Sequence, residues 1–205
     1  MSATAVPAGT DRSDFRTVLV GGTKVGVLVA AAVIVYLLAA RSLPGGGGVR
    51  STVETILVLA AGTAAAFLPG RWCAARGAEG IAGAAAMGLW GTIAFSAVDI
   101  VVLRPVRAYP WTWDAVGGGT TWWYLPMWWI LGTFLAWMGG TRLALGSGSG
   151  EMPLTRAALP PLAGAAVAVA VVAGTGLPVI APVAAGIGFT VTLTVFAVVA
   201  LARRP

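Results

Sequence analysis

The chain has no histidine and a single cysteine, Cys73, among its 205 residues. Imidazole is the commonest ligand for haem, copper and zinc and the commonest general base, so its absence argues against an intrinsic transition-metal or haem centre. One thiol is too few for an iron–sulfur cluster, and no cofactor is expected. A Ser-His-Asp or Cys-His hydrolase is excluded by composition, as is an intrachain disulfide. A Ser-Lys dyad fares no better: the only lysine, Lys24, has Thr17 and Thr23 near it and no serine at helical spacing. Clustered acids for metal–pyrophosphate chemistry are also missing, which places a lipid-modifying membrane enzyme last among the functional readings.

Charge is scarce too. Charged residues make up 10% of the chain against 58% hydrophobic residues, with a mean hydropathy of +0.89. A soluble core of this size cannot hide that much apolar surface, so the sequence reads as an all-α integral membrane protein. At roughly 20 apolar residues per crossing, the length allows about six transmembrane helices and no separate soluble domain. The net charge of +6 comes from twelve arginines and one lysine against seven acids. These basic residues cluster near the ends of apolar runs, where they orient helices and meet anionic lipid headgroups; no nucleic-acid partner is expected.

The pattern predicts a polar N-terminal segment, 1–16, and a single transmembrane domain, 17–204, with spans near 17–40, 52–68, 80–103, 122–143, 157–173 and 179–200. The polar start followed by a run of spanning length reads as a retained first helix rather than a cleaved signal. Ser51 to Glu54 reads as a capping box opening the second span, and Pro69-Gly70 as its stop. The four glycines at 45–48 read as a flexible turn, since no Gly-Lys-Ser follows them as in a phosphate-binding loop. Lys24, less than two turns inside span one, is expected to snorkel to the headgroups, with Glu79 as its best-placed partner. Ridges of small residues recur at Gly22 and Gly26, at Gly80, Ala84 and Gly88, and at Gly186 and Gly188, and predict close helix packing within the chain or against neighbours.

What is abundant is tryptophan in one place: seven of nine lie between Trp111 and Trp137. A loop carrying Trp111, Trp113, Trp122 and Trp123 beside apolar runs has the composition of a membrane–water belt. The same cluster also suits a docking surface for another subunit, or a stacking site in which Asp114 orients a ligand. Asp99 is the one carboxylate well inside an apolar run, with Ser96 one turn before it and Arg104 and Arg107 just beyond. A charged residue there is costly and is a functional candidate by default; its readings are an ion pair near the membrane surface, a proton or substrate contact, and a bond to a partner.

Two functional classes follow. The first is a non-catalytic accessory subunit of a multi-subunit membrane complex, packing against cofactor-bearing partners and surrounded by membrane lipids. The second is a small-solute or proton transporter or channel using Asp99. The basic residues of alternate loops place both termini in the cytoplasm of a bacterial inner membrane and the tryptophan loop outside. A cysteine placed at Trp113 in a Cys73→Ala background is accordingly expected to react with a membrane-impermeant maleimide added to the outer face of intact cells, and labelling only after lysis would reverse the orientation.

Overall fold

A computed structural model of the protein describes residues 11–44, 48–106, 124–146 and 152–203. Among these residues there are six long helices and no strand. They are α1 (Phe15–Ser42), α2 (Gly48–Trp72), α3 (Ala78–Val98), α4 (Tyr124–Leu145), α5 (Leu154–Thr175) and α6 (Ala181–Ala202), and α3 is prolonged by a π-helical turn, Asp99–Leu103. The chain is an all-α membrane protein: five of these helices, all but α4, are long and apolar enough to cross a membrane. α4 matches α5 and α6 in length and packs between α2 and α3, but its tryptophans, glycines and Arg142 dilute its hydropathy.

Local chemistry explains where helices begin and where the expected limits moved. Asp14 caps α1, its carboxylate accepting from the Thr17 amide at 3.0 Å and the Thr17 hydroxyl at 2.6 Å, and these bonds hold its carboxyl below the usual value. Ser51 and Glu54 do not open α2. The helix starts a turn earlier, at Gly48, and Glu54 instead accepts from Arg50 Nε at 2.8 Å, an i,i+4 ion pair inside the helix. Nor do Pro69 and Gly70 stop it; both are buried, and α2 runs to Trp72 because Gly70 lies directly against Gly140 of α4. Tertiary contact there outweighs the lost amide. α5 starts at Leu154, a few residues before the expected limit near 157, and contains Pro160 and Pro161.

Helices meet where side chains are absent. Parallel α1 and α3 cross so closely that a Cβ at Gly22 would fall 2.8 Å from the Met87 carbonyl oxygen, and one at Gly26 would fall 2.6 Å from that of Gly91. On its other flank α3 runs antiparallel to α4, with Gly88 against Gly132 and Ala136, and Ala84 beside Gly140. Gly139 lies on the Ala66 backbone of α2, and Gly164 and Gly188 join α5 to α6. The small-residue ridges on α1, α3 and α6 are thus used inside the chain. Side chains fill what remains: Phe67, Met87, Phe189 and Leu193 are buried, while valines, leucines and isoleucines on the outer faces of α1, α5 and α6 are exposed, as lipid-facing positions require.

At the end of the bundle where α2 turns into α3, residues 11–14 lie across the turn. Asp11 accepts from the amides of Arg76 at 2.8 Å, Gly77 at 3.0 Å and Gly80 at 2.8 Å, capping α3 from a distant part of the chain, and the Arg12 amide donates to the Cys73 carbonyl at 2.7 Å. Cys73 is fully buried beneath this strap. Burial, then the negative charges of Asp14 and Asp11, push its thiol up to about 11. Lys24 does not pair with Glu79; its ammonium lies 5.9 Å from the centroid of the Trp72 ring.

Two outcomes follow from this packing. Gly26→Val is expected to lower the apparent Tm in detergent sharply, by about 1–3 kcal/mol of overpacking or more, whereas Gly62→Ala, with only Phe189 at 4.0 Å, should be neutral or mildly stabilising. Alkylation of Cys73 at pH 8 should be more than about tenfold slower in the folded protein than after denaturation, and Asp11→Ala should speed it by freeing the strap.

Candidate functional site: Asp99 and an apolar cavity

The π-helical turn decides what Asp99 can reach. In an α-helix, residues five apart point about 140° away from each other, so Arg104 would not share a face with Asp99. In the π turn the Arg104 amide bonds back to the Asp99 carbonyl at 3.0 Å, and the wider coil brings the two side chains together. Arg104 Nε then lies 3.4 Å from Asp99 Oδ2, at the long limit for a hydrogen bond. The carboxylate is 4% exposed, and its second oxygen, Oδ1, is buried with no hydrogen-bond partner. Ser96 does not help: its hydroxyl donates to the Thr92 carbonyl at 2.8 Å.

Asp99 lines a cavity of about 810 Å³ bounded by α1, α2, α3, α4 and α6. The wall is nearly all apolar, with Val29, Val33 and Leu37 on α1, Leu57 and Ala61 on α2, Phe95 on α3, Trp128 and Leu131 on α4, and Ile187 on α6. Phe95 and Trp128 meet edge to face, their ring centroids 6.2 Å apart. Tyr36, Thr92, Thr190 and the indole of Trp128 are the other hydrogen-bonding side chains among the described residues of the wall. The two threonine hydroxyls are tied to their own helices, donating to the Leu89 and Gly186 carbonyls at 2.8 Å each. Asp99 is therefore the one charged group among the described residues of the lining, and its Oδ1 has no hydrogen-bond partner. A volume of this size is within the range of small-molecule sites, and apolar walls with few polar groups are their usual construction.

Chemically, such a carboxylate suits a ligand that brings its own hydrogen-bond donor or positive charge into a dry pocket, because an unpartnered buried acceptor is costly until something donates to it. Among the described residues no three His, Cys, Asp or Glu side chains gather as a metal site would require. Of the residues singled out in the sequence, the structure brings Asp99 and Arg104 together; Arg107, Trp111, Trp113, Asp114, Trp122 and Trp123 lie outside the described residues. Tyr36 and Trp128 were not anticipated as wall residues. Trp128 carried a signal as a member of the tryptophan cluster, while Tyr36 carried none. Searches against protein-family models, curated proteins and solved structures gave no match to this chain.

The pair makes an asymmetric prediction. Asp99→Asn should leave thermal stability in detergent unchanged or raised, because it removes a buried charge held by one long bond. Arg104→Ala should lower stability by about 1–3 kcal/mol, since it strips the carboxylate of its cation. The double variant should recover most of that loss, and equal losses from both single changes would contradict the arrangement.

Proposed function

We propose that this protein is a non-enzymatic membrane protein that holds a small, mostly apolar molecule in the cavity, with Asp99 receiving that molecule's cationic or hydrogen-bond-donating group. The observation that carries this reading is a buried carboxylate, Asp99, in the lining of about 810 Å³ of mostly apolar space, with one oxygen, Oδ1, left without a hydrogen-bond partner. It develops the transporter reading of the sequence and narrows it. The wall has too few hydrogen-bonding groups to conduct hydrated ions, so the solute is lipophilic. Movement of that solute across the membrane would proceed by exchange at this site.

Orientation fits the same picture. Arg71, Arg76, Arg142, Arg156 and Arg203 gather at the end of the bundle away from Asp99. By the positive-inside rule that end faces the cytoplasm of a bacterial inner membrane, and the cavity opens in the outer half of the bilayer.

The accessory-subunit reading is supported by the wide apolar exterior of α5 and α6, where Val167, Val171, Val191 and Val195 are exposed and would suit a partner helix as well as lipid.

Native mass spectrometry of the full chain, extracted gently from its own membrane, separates these readings. Binding predicts a small-molecule adduct that falls at least about tenfold in Asp99→Asn, the scale of one lost charge-assisted bond, and vanishes when Ala61→Phe fills the cavity. Stoichiometric partner chains with no such adduct would put the subunit reading in its place.

A further inference from the structure

Along its depth, the cavity is charged at one end only. α1 and α3 run side by side in the same direction, and each lines the cavity for about three turns, from Val25 to Leu37 on α1 and from Gly88 to Asp99 on α3. At about 1.5 Å per residue these stretches give a depth of about 16–18 Å. Asp99 and Tyr36 stand at the same end of it. That end also carries two ion pairs: Arg104 Nε lies 3.4 Å from Asp99 Oδ2, and Arg50 Nε lies 2.8 Å from Glu54 Oε1 in the first turns of α2.

Inward of this end the described wall turns apolar. Trp128 meets Phe95, one turn before Asp99, and beyond them the hydroxyls of Thr92 and Thr190 give their protons to carbonyls of their own helices. The deep end rests on the core. Leu135, one turn past the contact of Gly132 with Gly88, and Phe189, which lies 4.0 Å from the Cβ position of Gly62, are both buried members of the main apolar cluster. A bilayer leaflet has the same gradient, from polar headgroups to an apolar midplane, so a cavity lined in this way matches a molecule already oriented in the leaflet.

We propose that the cavity takes a single-headed lipid amphiphile, with a cationic or hydrogen-bond-donating head at Asp99 and an apolar tail running inward along α1 and α3 to Leu135 and Phe189. The inference rests on the reading of Asp99 as the receiving group, and adds the ligand's class and direction. A compact lipophilic cation would reach Asp99 too, but it would leave the deep turns empty, and atoms that line a void forfeit their dispersion partners. A tail fills that length. Since the surrounding lipid is as apolar as the wall, the tail gains little from transfer alone. The head supplies the preference through a charge-assisted bond in a dry place, and the tail supplies the fit.

The test reads depth, with the full chain in phosphatidylcholine nanodiscs. Three photoactivatable probes are crosslinked and mapped by peptide mass spectrometry: hexylammonium and dodecylammonium with a diazirine at the tail tip, and dodecylammonium with a diazirine beside the head. At about 1.2 Å per bond of an extended chain, a six-carbon tail reaches about 6–7 Å inward and a twelve-carbon tail about 13–14 Å. The hexyl tip is therefore expected to label Phe95, and the dodecyl tip Leu135 and Phe189. The head probe should label Val33, which stands as far beyond Val25 as Asp99 stands beyond Gly91, the neighbour of Val25. Asp99→Asn, its Tm measured alongside, should lose all three labels while the lipid background at exposed Val167 stays. If the hexyl and dodecyl tips label one depth, or the head probe labels Leu135 while the dodecyl tip labels Val33, the lengthwise placement is overturned and the Asp99 reading stands. If the wild-type wall takes no label, or Asp99→Asn is labelled as heavily as the wild type, both readings fall.

Discussion

Backbone-to-backbone contact along α3 is the constraint on which the rest of this structure depends. Between two helices in lipid there is little hydrophobic gain from association, because the surrounding tails are as apolar as the side chains they replace. Attraction has to come from many close van der Waals contacts, and these need surfaces without bulk. α3 supplies two: Gly22 and Gly26 of α1 approach it near Met87 and Gly91, while Ala84 and Gly88 receive α4. Clamped on both flanks, α3 has little freedom to shift or rotate. Its far end, where the coil widens into the π turn, extends beyond that clamp.

The cavity is the complement of that clamp. Where small residues face each other the helices close; where Val29, Val33, Leu57 and Leu131 stand instead, they part and leave space. Asp99 sits at the border between the two regimes, in the turn that prolongs the clamped helix and among the residues lining the open volume. A wider coil at this one turn gives one oxygen of its carboxylate a cation and leaves the other without a partner. Departures from α-helical regularity of this kind recur at functional sites, and here the departure determines which neighbour the charge meets.

Much of the fold could be read from the residues alone because a bilayer leaves few choices: length, apolar runs and small-residue ridges predicted the helices and the closeness of their packing. Failures came where distant residues decided the outcome. Nothing near Pro69 shows that Gly140 will lie against Gly70 and carry the helix onward. Ser51 and Glu54 carry the local signature of a cap, but Arg50 competes for the carboxylate and the helix begins before them. Asp11 looked like part of a loose polar tail, although it is the cap of a helix that starts far along the chain. Asp99 stood out as a lone charge in an apolar run. That it would face a cavity required five helices to be placed, and its pairing with Arg104 required a helical pitch that spacing rules do not anticipate.

One wall of the cavity belongs to α6, the last helix of the chain, whose partner α5 reaches the bundle chiefly through it. A membrane protein is threaded into the bilayer from its N-terminus, so α1 to α4 are in place while the final hairpin is still being made. Until Ile187 and its neighbours arrive, the volume in front of Asp99 is an open cleft filled by acyl chains. The pocket therefore takes shape only when α6 is inserted and supplies its remaining wall. A chain lacking α5 and α6 would leave only a notch in front of Asp99, open to the surrounding lipid.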